Sequence, residues 1–168
     1  MENKEVAIHK PHGTFIEVQE MAQELFKSAM FTGLKKQEEA VVKIVAGQEL
    51  GLPPVFSLLN IDVVLGKLRL NSQAIATLIK RSGKYDYLVK AHTEKECIID
   101  FTHNGKAEYT SVYSISDATK AGLVKPNSAW ITHPKSMLFA RALSQGAKIV
   151  CPHVMAGADT LEDAGVEE

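Results

Sequence analysis

Apolar residues recur along much of the chain at the spacing of an amphipathic helix. The first such stretch includes Val18, Ala22 and Leu25, which share one face because they stand three or four residues apart. Glycine and proline mark most of the boundaries, since glycine ends helices and proline suits a first turn. The helices predicted in this way run over residues 15–30, 37–50, 54–59, 73–82, 116–122 and 132–150.

A two-residue alternation with turn signals predicts strands in the middle of the chain. A β-branched run before Gly66 and Lys67, and a short apolar run after them, predict a small hairpin. Asn104 and Gly105 are the strongest hairpin signal in the sequence, so the runs around them predict an antiparallel meander. The predicted strands cover residues 61–65, 68–70, 85–92, 97–102 and 107–113. Together these elements predict an α+β fold in which helices pack on a small antiparallel sheet.

Length and composition are those of one globular domain. The chain has 168 residues, of which 45% are hydrophobic and 23% charged. We expect a single domain over residues 1–157 and a flexible acidic tail over 158–168. Cys97 and Cys151 are too few for a disulfide framework, and the polar N-terminus has no signal-peptide pattern. A cytoplasmic protein without a membrane segment is the expectation.

Charge is distributed unevenly, and this changes the functional prediction. Residues 1–60 hold 6 Lys or Arg and 8 Asp or Glu, residues 61–150 hold 13 and 7, and residues 151–168 hold none and 5. The middle segment therefore carries +6 within a chain whose formal net charge is −1. Such a segment attracts phosphate and gains from counterion release, whereas the acidic end is repelled by the same polyanion. The alternative is an ordinary solvated surface with uneven charge.

Motifs for catalysis and cofactor binding are missing from the sequence. None of the 11 glycines forms a GxxxxGK[ST] or GxGxxG cradle for nucleotide phosphates. The nearest metal-ligand candidates are Cys151 with His153, and the isolated His92 and His103, and a buried thiol and surface histidines explain these residues without further assumptions. We therefore predict no enzyme activity, no cofactor and no metal site.

Three groups of residues are candidates for nucleic-acid contacts. Polar and cationic positions on the last helix form a stripe, others stand at the end of the fourth helix, and two flank the hairpin turn. Exposed aromatic rings near such cations can stack on bases. The candidates are Arg141, Ser144, Gln145 and Lys148 for the stripe, Lys80, Arg81 and Lys84 for the helix end, Lys67 and Arg69 for the hairpin, and Tyr85, Tyr87 and Trp130 for stacking. Solvated helix faces, edge-strand protection and a core position for Trp130 are the alternatives.

Six short stretches add a further signal through their order and spacing. They are AGQELGLPP at 46–54, IDVVLGKLRL at 61–70, IKRSGKY at 79–85, DATKAGL at 117–123, WITHPKSMLFARA at 130–142 and CPHV at 151–154. In this order they resemble the RecT-like single-strand DNA annealing proteins of phages over about residues 20–157. His153 departs from the pattern, because the family usually has an acidic residue there.

The resemblance implies a protein that coats single-stranded DNA, forms rings or filaments, and lets complementary strands pair without ATP. A phage exonuclease and a host single-strand-binding protein are the partners that it implies. Family members are commonly longer, with a C-terminal region that recruits partners, so recruitment is left open. By resemblance, the residues facing the DNA backbone are Lys80, Arg81, Lys135, Arg141 and Lys148, with Lys67 and Arg69 near the groove.

Two other classes of protein stay open at this point. One is a phage accessory protein that binds a host or phage protein through the same surface and never contacts DNA. The other is a metal-dependent nuclease, although the carboxylates of residues 61–150 are scattered rather than grouped for two-metal chemistry.

Overall fold

The computed structural model describes residues 13–156 and 158–160. The helices are α1 Phe15–Lys27, α2 Gln37–Glu49, α3 Pro54–Asn60, α4 Ser72–Arg81, α5 Ile115–Lys120, α6 Ala129–Thr132 and α7 Pro134–Val150, followed by a 3-10 turn at Pro152–Met155. The strands are β1 Ile61–Val64, β2 Lys67–Leu70, β3 Tyr85–His92, β4 Glu96–His103, β5 Lys106–Ser114 and β6 Asp159–Thr160. The α+β class predicted from the sequence is confirmed.

The strands form two separate three-stranded sheets. The meander sheet has the order β3-β4-β5 and is antiparallel throughout. The hairpin sheet has the order β1-β2-β6, and β6 runs parallel to β2. The sequence predicts the hairpin and the meander in one sheet, whereas the structure has two sheets, with α4 between them along the chain. Strand β6 is also missed, because nothing in the acidic C-terminal segment signals a strand. Within the predicted flexible tail, Asp159 and Thr160 therefore belong to a sheet, and residues 161–168 lie outside the described part.

Two tight turns close the hairpins through left-handed backbone conformations. Asn104 and Gly105 both have positive φ, at 50° and 76°, as the Asn-Gly signal predicts for a type I′ turn. In the β1–β2 hairpin the same conformation falls on Leu65 and Gly66, with φ of 52° and 75°. The turn thus lies one residue earlier than predicted, and Lys67 is the first residue of β2.

Helix α7 lies across β4 and β5 and forms the main core with them. Ile99, Phe101 and Leu138 are fully buried at this contact. The Ser111 hydroxyl donates a hydrogen bond of 2.7 Å to the Ala142 carbonyl, which ties β5 to the helix backbone. A Cβ atom at Gly146 would lie 2.1 Å from the Phe101 ring, so glycine allows this close approach.

The N-terminal helices form a second, smaller hydrophobic cluster. Helix α1 packs on α2, and it ends at Lys27, earlier than the predicted residue 30. The last predicted helix is interrupted at His133, so Thr132 ends α6 instead of capping α7. The small cluster consists of Val18, Ala22, Ala40, Ile44 and Leu58.

Within residues 13–156 and 158–160, no single helix is long and apolar enough to cross a membrane; α2 and α3 pass that test only as a pair bent by 111°.

A buried lysine links α2 to the hairpin sheet. Lys43 is buried, and its ammonium lies 3.1 Å from the Asp62 carboxylate of β1 and 3.5 Å from that of Glu39. A buried ammonium needs such partners because desolvation strongly disfavours an isolated charge. The pair therefore fixes the position of the hairpin relative to α2.

Candidate nucleic-acid interface

Three cations stand at or just after the end of α4, and one of them, Lys80, is paired with a carboxylate. The Lys80 ammonium bonds to the Asp86 carboxylate and lies 4.7 Å from the centroid of the Tyr87 ring. This hydrogen bond from Lys80 is the main reason why the pKa of Asp86 is below its ordinary value. Both side chains are exposed, so a phosphate in solvent can compete with Asp86 for Lys80.

Arg81 and Lys84 differ in how firmly they are held. The Arg81 guanidinium donates to the Gly51 carbonyl, which ties the end of α4 to the turn after α2. Lys84 is exposed, and its backbone carbonyl accepts from the Asn104 amide at 2.7 Å. Their position at the C-terminal end of a helix also favours positive charge, whatever their function. This cluster, consisting of Lys80, Arg81 and Lys84, is called the α4 cluster below.

Helix α7 carries the predicted stripe, but in a narrower form. One side of the helix carries Arg141, Gln145 and Lys148, because these residues are four and three positions apart. Gln145 is exposed, and the two cations are half-buried. Ser144 does not belong to this α7 stripe, because it is buried and its hydroxyl donates to the Ala140 carbonyl at 2.7 Å.

Arg141 lies on the side of α7 that faces β5. Burial raises the pKa of Tyr113 on β5, and the positive charge of Arg141 opposes that rise. Lys135 is exposed in the first turn of α7, and its carbonyl lies 3.0 Å from Nε2 of His92. Because Lys135 precedes Arg141 by six residues, it lies about 240° around the helix from it and outside the stripe.

The structure brings the α4 cluster and the α7 stripe onto neighbouring elements. Helices α4 and α7 pack directly against each other. The hairpin cations lie elsewhere: β2 pairs with β1 and β6, and both Lys67 and Arg69 are 3.9 Å from the Asp159 carboxylate. The predicted contact residues therefore do not form one continuous group.

Besides Ser144, two of the predicted contact residues are buried. Trp130 is only 6% exposed, and its ring lies 6.1 Å from that of Tyr113. It is therefore a core residue, as the alternative prediction has it, and not an exposed platform for base stacking. Arg69 is 7% exposed, because β6 covers it and its guanidinium donates to the Thr160 carbonyl at 3.0 Å. The sequence suggests an exposed position for Arg69, because the strand that covers it has no signal in the sequence.

A tyrosine and two histidines form a group of contacting rings at the start of β3. Tyr85 stacks on His103 with ring centroids 4.5 Å apart and an angle of 9° between the planes. The exposed His153 meets the same tyrosine edge-on at 5.3 Å. The sequence suggests only isolated surface histidines here. Their grouping depends on the β3–β4 register, which pairs Tyr85 with His103.

The two cysteines have the chemistry of buried, neutral thiols. Burial raises the pKa of Cys97, and burial together with the nearby charge of Glu108 raises the pKa of Cys151 to about 11. Thiols with such values are poor nucleophiles and poor metal ligands at neutral pH. Among the residues that the structure describes, no three His, Cys, Asp or Glu side chains are grouped so as to hold a metal ion.

The fold and these clusters define an α+β protein with cations on two packed helices and, on the hairpin, one exposed and one covered cation. Comparisons with protein-family models, with curated proteins and with solved structures found no match to this chain. The resemblance to annealing proteins therefore rests on the short sequence stretches alone.

Proposed function

We propose that this protein binds single-stranded DNA and anneals complementary strands without ATP. The observation that carries the proposal is the direct packing of α4 on α7, which places the α4 cluster and the α7 stripe on adjacent helices. A chain of phosphates that crosses both helices meets cations from each. Contacts of this kind hold the backbone without choosing a sequence, which suits annealing because base pairing supplies the choice.

The chemistry of the individual residues supports contact with a single strand. Lys84 supplies an exposed ammonium, and Gln145 supplies an exposed amide that can hydrogen-bond to phosphate oxygens. Lys80 can exchange the Asp86 carboxylate for a phosphate, since both side chains are exposed. The half-exposed Tyr87 ring lies beside Lys80, and a base of any identity can stack on it when Lys80 turns to a phosphate.

The proposal includes the wider biology that the sequence resemblance implies. The protein acts as a homo-oligomer, as a ring or a filament, in the cytoplasm. It receives single strands from a phage exonuclease and meets the host single-strand-binding protein on them. Both the bound single strand and the annealed duplex are its ligands.

Fluorescence anisotropy with a labelled oligothymidine tests binding directly. The log affinity should fall linearly with log salt concentration, by about 0.7 for each phosphate contact. Replacing two stripe cations, R141Q/K148Q, should therefore lower the slope by about 1.4. A matched variant, K95Q/K120Q, removes the same charge from exposed positions that belong to neither helix and should leave the slope unchanged. Binding that does not respond to salt would rule out the proposal.

One observation favours the second candidate, a protein-binding accessory role. Leu88 and Val112 are 58% and 50% exposed on the face of the meander sheet opposite α7, where no described helix packs. Exposed apolar residues grouped on a sheet face are typical of protein contacts. If oligothymidine does not bind and an L88S/V112S variant loses a protein partner, the accessory role replaces DNA binding.

A further inference from the structure

Strand β6 places one carboxylate against two cations of the hairpin. It pairs with β2 in parallel, with Asp159 beside Arg69 and Thr160 beside Leu70. The Asp159 carboxylate lies 3.9 Å from the Lys67 ammonium and 3.9 Å from the Arg69 guanidinium. Lys67 and Arg69 share one face of β2, because alternate residues of a strand point the same way.

Within the described residues, the contact between β6 and β2 leaves one hydrogen-bond donor of Arg69 unsatisfied. Only two residue pairs join β6 to β2 within the described residues. Nε of Arg69 is buried and has no hydrogen-bond partner in the described part of the chain, although NH1 donates to the Thr160 carbonyl at 3.0 Å. A buried guanidinium with an unsatisfied donor is unfavourable. The unsatisfied donor therefore offsets part of what the covered state gains from Asp159 and Thr160.

The segment before β6 that the structure describes, with Ala156 and Ala158, borders an open cavity. This cavity of about 380 Å³ lies between this segment and α2, with Leu50, Leu68 and Met155 in its walls. Asp159 and Lys67 line the same cavity.

Thr160 of β6 is fully buried beside Leu70, and Met155 and Ala158 before it pack in the main core. When β6 leaves β2 it therefore uncovers Leu70 as well as Arg69, and a ligand that displaces β6 has to offset that cost.

We propose that β6 is a displaceable cover, in which Asp159 occupies the place of a DNA phosphate and keeps Arg69 from solvent. A single strand that competes for Lys67 displaces Asp159 and exposes Arg69 as a second phosphate ligand on the same face of β2. The inference rests on the proposed function and adds its regulation. Hairpin binding is reduced until a polyanion replaces the internal carboxylate.

The variant D159N in the full chain tests this with little change in shape. Asparagine keeps the size of the side chain and the backbone of β6, but it removes the charge. The matched control E94Q removes one charge from an exposed carboxylate in the β3–β4 turn. In anisotropy at low salt, D159N should bind oligothymidine about fivefold more tightly than E94Q, the factor for one charge at about 4 Å in water. Adding K67Q to D159N should reduce this gain.

Arginine modification with phenylglyoxal, located by mass spectrometry, gives a readout that does not need DNA. Arg69 should be protected in the unaltered chain and in E94Q, and it should react faster in D159N. Equal protection of Arg69 in all three would overturn the cover. Equal affinities of D159N and E94Q would also overturn it and leave DNA binding intact. If none of the three proteins binds oligothymidine, the proposed function and this inference fall together.

Discussion

Replacing Gly146 by alanine tests whether α7 is held as closely to the meander sheet as the structure shows. The new Cβ would lie 2.1, 2.5 and 2.9 Å from three carbon atoms of the Phe101 ring. An ordinary contact needs at least 3.4 Å, and Phe101 is fully buried, so the ring has nowhere to move. Either α7 shifts outward or the ring leaves its rotamer.

Two opposing terms set the size of this effect. Overpacking of a core typically costs about 1 to 3 kcal/mol. Exchange of glycine for alanine inside a helix stabilises it by about 1 kcal/mol. Because the overlap involves three ring atoms at once, we expect the upper part of the range and a net loss of about 1 to 2 kcal/mol. For a chain of this length that lowers the melting temperature by about 2 to 8 °C.

Thermal and urea unfolding followed by circular dichroism measure this loss. Gly33→Ala is the matched control, because nothing lies within 4 Å of its Cβ position and its φ is not in the left-handed region. A second test combines G146A with F101L, which replaces the aromatic ring with a smaller side chain. The double variant should be more stable than the sum of the two losses predicts, by about 1 kcal/mol. A G146A protein as stable as the unaltered chain would refute the close packing of α7.

Three further predictions follow from charged and buried groups. Lys43→Ala leaves the Asp62 carboxylate without its buried partner and should cost about 1 to 3 kcal/mol in urea unfolding; an unchanged midpoint would contradict the link between α2 and β1. The lowered pKa of Asp86 stabilises the fold above the ordinary carboxyl pKa, and this contribution is lost as pH falls through the lowered value. The stability difference between the unaltered chain and D86N should therefore be constant near neutral pH and shrink only in acid, whereas a difference that persists in acid contradicts the pairing with Lys80. Cys151, with a pKa of about 11, should react with a disulfide reagent at pH 8 only after unfolding; rapid reaction of the native chain would contradict its burial.

Local signals in the sequence predict most of the elements correctly. The Asn104-Gly105 turn is predictable because few residue pairs accept two consecutive positive φ values. The end of α7 at Val150 is predictable because Pro152 follows. The α7 stripe is predicted from the helical spacing, although Ser144 is lost from it because the buried arc of this helix is wider than the apolar residues alone indicate.

Features that depend on distant contacts have no local signal. An irregularity between Val89 and Ala91 shifts the β3–β4 register by one residue, and this shift alone brings Tyr85 opposite His103. The burial of Arg69 depends on a two-residue strand about 90 positions further along the chain. In both cases a pairing partner that the sequence does not reveal decides which groups the side chain contacts.

Strand annealing in the absence of nucleotide tests the central claim most directly. Two complementary oligonucleotides, one with a fluorophore and one with a quencher, are mixed with the protein, and the rate of quenching is followed. The account predicts that the unaltered chain and K95Q/K120Q accelerate annealing alike, and that R141Q/K148Q accelerates it much less. Annealing at the protein-free rate in all three samples would contradict the account.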